Sequence, residues 1–169
     1  MGEVAGFASV TSKEQDINVA KLKTDYLQTQ LVENGFEISF FNDVDIDNLN
    51  SQSISIHFLG SKGFFTDYNA RKNDPLSKPV AENWVKGYSE FLDKNFDPNT
   101  LAKKIYSSKQ DEDISITNYE FIEMIKSASN KENIDFNLLN QIKTNNKEIT
   151  VGQAADIIFS LHKANIDPN

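Results

Sequence analysis

The chain has 169 residues, 17 Lys and Arg against 25 Asp and Glu, and a formal net charge of −8. That balance excludes the basic face a nucleic-acid binder needs. There is no Cys, which excludes disulfide scaffolds, thiolate metal sites and Cys nucleophiles, and the two His residues, His57 and His162, are too few for a His-rich metal centre.

The opening, Met1 to Ala8, has no basic region and no long apolar run. No stretch of the chain approaches the length of a membrane span. The expected location is the cytoplasm, or outside the cell without a Sec signal peptide. Abundant Asn, Lys and Ile with a single Arg, Arg71, fit an A+T-rich, bacterial coding sequence.

Residues 1–10 are small, apolar and aperiodic, and read as a loose terminus. Residues 12–33 read as a helix with Ile17, Ala20, Leu27 and Leu31 on its apolar stripe, ended by Asn34-Gly35. Phe36 to Phe41 and Ser53 to Phe58 read as two strands. In the second, Ile54, Ile56 and Phe58 alternate with Ser53, Ser55 and His57, which predicts one buried face and an exposed His57. Residues 59–78 read as a long loop. Residues 79–95 read as a helix that starts at Pro79 and carries Val80, Trp84, Tyr88, Phe91 and Leu92 on one side. Asp43, Asp45 and Asp47 alternate along the connection between the strands. They could face a hard cation together, but Asp-rich connections are commonly just solvated.

Asp97-Pro98 gives a helix start, an N-cap Asp with Pro in the first turn. From there an offset of 33 residues superposes seven apolar positions. Leu101 meets Ile134, Ile105 meets Leu138, Ile116 meets Ile149, and Phe121 meets Ala154. Met124 meets Ile157, Ile125 meets Ile158, and Ala128 meets Leu161. Each unit reads as helix, polar loop, short apolar bridge, helix, and neither unit buries its apolar face alone. Thr117-x-x-Glu120 and Thr150-x-x-Gln153 have the spacing of capping boxes.

This spacing resembles a degenerate EF-hand pair over about residues 97–164, and the resemblance says nothing about residues 1–96. The resemblance places Ile116 and Ile149 at the eighth loop position. It implies a possible Ca²⁺ ligand set of Asp111, Asp113, Ser115, Thr117 and Glu120 in the first loop. Lys109 stands where the family has Asp, and Ile114 where it has Gly. The second loop lacks Asp at its first position and Glu at its twelfth. The resemblance also implies an apolar protein-binding groove lined by Phe121, Met124, Ile125, Ile157, Ile158 and Leu161.

The expected fold class is α+β. Residues 1–96 form an N-terminal α+β region, and residues 97–169 an EF-hand-like helical region. The expected function is non-enzymatic: a protein-binding or adaptor protein whose partner is another protein. The alternative is a bacterial enzyme or secreted effector with its site in residues 36–78, using the Asp43, Asp45, Asp47 cluster and His57.

Overall fold

A computed structural model describes residues 2–45, 50–108, 114–128, 136–142 and 145–166. Among them every regular element is helical, so the fold is all-α and the α+β expectation is corrected. The elements are α1 (Gly2–Glu14), a 3₁₀ turn (Val19–Lys21), α2 (Thr24–Glu33), α3 (Ser51–Ser61), α4 (Lys78–Leu92), α5 (Pro98–Ser108), α6 (Asn118–Ala128), α7 (Phe136–Gln141) and α8 (Val151–Asn165).

Three corrections fall in the N-terminal half. The terminus expected to be loose is helix α1. The single helix over 12–33 is α1's last turn, the 3₁₀ turn and α2, with Asp16 at a φ of 52° between them. The two-stranded element does not form. Phe36 to Phe41 runs without a ladder, and Ser53 to Phe58 lies inside α3.

The physical reason is that α3 is buried around most of its circumference. Ser53, Ser55 and His57 are as hidden as Ile56, Phe58 and Leu59, so alternation carried no face information. Asn50 caps the helix by accepting from the Ser53 amide at 2.9 Å. The buried Ser55 hydroxyl lies 2.7 Å from the Ser51 carbonyl and 3.0 Å from the Asp156 carboxylate of α8.

The C-terminal half follows its sequence signals more closely. The Asp97 carboxylate accepts from the Asn99 amide at 3.1 Å and the Thr100 amide at 3.2 Å, capping α5. Gly87 lets α5 approach α4, since a Cβ there would stand 2.7 Å from Leu101. Thr150 and Gln153 close a full capping box on α8. Thr117 and Glu120 close its counterpart on α6: Thr117 Oγ1 accepts from the Glu120 amide at 3.2 Å, and Glu120 Oε2 accepts from the Thr117 amide at 2.8 Å.

The two-unit repeat has a third member. Leu76, Ser77, Ala81, Trp84, Val85 and Tyr88 stand in the register of Ile116, Thr117, Phe121, Met124, Ile125 and Ala128, at an offset of 40 residues. Three helix–loop–helix units, α3–α4, α5–α6 and α7–α8, therefore meet at one junction. The Leu76 amide donates to the Ile149 carbonyl at 2.9 Å. Ile149 donates to Ile116 at 3.0 Å, and Ile116 donates to Leu76 at 3.2 Å. A second ring runs in the opposite sense: Lys78 donates to Ile114, Asn118 to Lys147, and Val151 to Asp74.

The three central side chains are at most 1% exposed. One apolar core runs from Val32 and Ile56 through Trp84, Leu101 and Phe121 to Leu139 and Ile158. The first helix of one unit packs on the second helix of another, α3 on α8 and α5 on α4.

The junction sets one prediction. Thr150→Ala removes a side-chain cap and should cost about 1 kcal/mol, whereas Ser77→Ala, at a helix start with no side-chain cap, should cost under about 0.5 kcal/mol. Urea midpoints of the two variants check the contrast.

Candidate binding cavity

At the start of α4 the threefold pattern breaks. Thr117 and Thr150 spend their hydroxyls on capping, but Ser77 makes no cap bond. Val80 replaces the Glu or Gln that completes the box in the other units, and Pro79 has no N–H to give. The Ser77 and Thr66 hydroxyl oxygens are covered and meet no hydrogen-bond partner among the described residues.

A cavity of about 160 Å³ lies at this break. Phe64, Phe65, Val80, Trp84, Ile105 and Val151 supply its apolar walls, while Asn69, Arg71 and Asp74 are lining residues that are also exposed and so mark its mouth. An apolar cavity of roughly 150 Å³ accommodates a benzene ring.

The walls are fixed by contacts the sequence does not display. Trp84 Nε1 donates to the Phe64 carbonyl at 3.0 Å, and the rings of Phe64 and Phe65 meet its indole edge-on at 5.8 and 5.3 Å. Across the mouth, the Asp43 carboxylate accepts from the Ala70 amide at 2.8 Å and the Arg71 amide at 2.7 Å. That clamp holds Arg71 at a φ of 52°, a backbone region that a side chain with a Cβ seldom adopts.

Asp43 thus has a structural task, fixing the 70–71 turn. Asp45 is described but lies outside the cavity lining, and Asp47 lies outside the described residues. His57 is corrected from an exposed strand residue to a buried helix residue. It is 1% exposed, with Nδ1 2.9 Å from the Ser39 carbonyl. That spacing puts the proton on Nδ1, and His57 does not line the cavity.

His162, in the last turn of α8, is 5% exposed and stacked on Phe58 at 4.6 Å. Burial pushes its pKa down to about 4, the nearby Lys62 ammonium adds to that, and Asp25 opposes it. Lys62 is itself only 8% exposed. It pairs with the Asp25 carboxylate and with Gln28 Oε1 at 2.6 Å, which ties α2 to the end of α3.

Asp111 and Asp113 lie outside the described residues. The ligands the resemblance adds to them are occupied otherwise. Ser115 hydrogen-bonds Glu148, and Thr117 and Glu120 bond each other. The Thr117 amide, and after it the Thr117 hydroxyl, hold the Glu120 carboxyl below its ordinary pKa. Among the described residues no cluster of three acidic or His side chains is poised for a metal. Ser115, Thr117 and Glu120 are thus the described part of that ligand set, and all three are engaged in internal hydrogen bonds.

Of the groove residues, Phe121, Ile125, Ile158 and Leu161 are fully buried, Ile157 is 8% exposed and Met124 is half-buried. This apolar face lies inside the core. No helix among the described residues is long and apolar enough to cross a membrane.

The signal for the cavity in the sequence was the Phe64-Phe65 pair in a Gly-flanked loop, together with a Ser-x-x-Val where the other units carry Thr-x-x-Glu and Thr-x-x-Gln. No family model, no curated protein and no solved structure matches this chain.

Proposed function

We propose that this chain is a non-enzymatic binding protein, built on helix–loop–helix units of the EF-hand kind joined three ways. The carrying observation is the aromatic-walled cavity at the one unit that has given up its capping box. Such a cavity buries a ring and needs no catalytic group to do so. Both histidines lie away from it and are engaged in internal contacts, which supports binding over catalysis. The link from Ile149 to Ile116 supports the EF-hand likeness. The return link of a pair is replaced by Leu76, so the likeness extends to the unit and not to the pairing. The ring can belong to a small molecule or to a side chain of another protein.

Benzyl alcohol serves as a neutral probe. Amide and indole NMR shifts on titration should saturate, and should cluster on residues 64–77, Trp84 and Val151. Ala70→Leu, which pushes three more carbons toward the cavity from a residue 4% exposed, should abolish them while the thermal transition stays cooperative. No saturable shift, or shifts scattered over the molecule, would overturn the reading.

A further inference from the structure

Resting on that binding reading, we propose that the cavity takes one aromatic ring carrying a positively charged amine, with the ring inside and the ammonium at the mouth beside Asp74. The walls set the first half of this class. Phe64, Phe65 and Trp84 offer ring faces and edges in a space of about 160 Å³, room for one ring and not for two.

The mouth sets the second half. Its charged lining residues are Arg71 and Asp74. The Arg71 guanidinium faces the Asp67 carboxylate at 3.9 Å, whereas the Asp74 carboxylate has no ion-pair partner among the described residues. The two lining charges balance formally, and with Arg71 facing Asp67 the lining charge left without an ion pair among the described residues is that of Asp74, on a chain that stands at −8. An ammonium at the mouth meets the Asp74 carboxylate, which attracts it.

Asp74 is also held in place. Its amide donates to the Arg71 carbonyl at 2.9 Å, and its carbonyl accepts from the first amide of α8 at 3.0 Å. The carboxylate therefore projects from a backbone pinned to the junction, and its position costs little further ordering when a ligand arrives.

Three one-ring probes differing in charge test this: benzylamine, benzyl alcohol and benzoate, followed by Trp84 fluorescence and calorimetry at low salt. Benzylamine should bind about three- to fivefold tighter than benzyl alcohol, as one exposed ion pair allows, and benzoate weakest. The advantage should shrink as salt rises. Asp74→Asn should erase the amine preference, so that benzylamine and benzyl alcohol bind this variant equally, and its thermal transition should stay cooperative.

Equal binding of benzylamine and benzyl alcohol would overturn this inference while the binding reading stands. Binding of none of the three would overturn both. A capped Phe-Lys dipeptide separates the sources of the ring. Tighter binding than benzylamine assigns it to a protein partner, and weaker binding assigns it to a free arylalkylamine.

Discussion

Shortening Ile116 or Ile149 to Ala should destabilise the fold by about 2–5 kcal/mol each, a large share of the roughly 5–15 kcal/mol a domain of this size holds. Both side chains are at most 1% exposed, and their backbones form two corners of the hydrogen-bonded ring. Truncation leaves a void where three units meet. The double variant should cost less than the sum of the two, because the second truncation acts on a junction the first has loosened. Ile114→Ala is the control. Ile114 is 63% exposed, and its contribution to the second ring is a backbone carbonyl that Ala retains. Its cost should stay within about 0.5 kcal/mol. Urea unfolding at constant slope reads all four proteins. A cost for Ile116→Ala no larger than that of Ile114→Ala would mean that the junction does not organise the core.

The junction also shows where a sequence reading reaches and where it stops. The helices from Lys78 onward were legible because their buried residues recur at helical spacing and their starts carry Asp97, Thr117 and Thr150 as caps. The stop at Asn34-Gly35 was legible for a local reason too, since Gly35 takes a φ of 84°. The third unit was not. Its offset is 40 residues where the other is 33, and its capping box has been lost to Ser77 and Val80. Ser77 and Val80, which line the cavity, are also the residues at which the repeat's capping signal is missing.

The α3 segment failed for a different reason. Ile54, Ile56 and Phe58 alternate as a strand does, and only burial on nearly all sides makes the alternation uninformative. That burial comes from α2 and from α8, which lies about a hundred residues away in sequence. His162 is hidden from a local reading for a similar reason. Its surroundings are Phe58, Phe91 and Phe159, drawn from three helices, so no local pattern marks it as buried.

That burial makes His162 an acid-sensitive group. Thr29 Oγ1 donates to the Asp25 carbonyl at 2.8 Å, so toward His162 Nε2, 3.2 Å away, it accepts, and the neutral ring carries its proton on Nε2. Charging the ring requires a second proton on Nδ1 among aromatic neighbours, with the Lys62 ammonium opposing it and Asp25 giving partial relief. In the unfolded chain His162 takes that proton near pH 6.5, and in the folded chain only near pH 4. Between those values the unfolded state binds more protons, so stability is full above pH 6.5 and falls as the pH drops toward 4. The loss attributable to this one residue by pH 4.5 should be about 2–3 kcal/mol. His162→Leu should remove it, since Leu keeps an apolar body in the aromatic cluster and Thr29 retains its bond to Asp25. Urea unfolding of both proteins at pH 7.5 and pH 4.5 isolates the residue from the carboxylates that titrate in the same range. Equal losses in the two proteins would assign the acid sensitivity elsewhere.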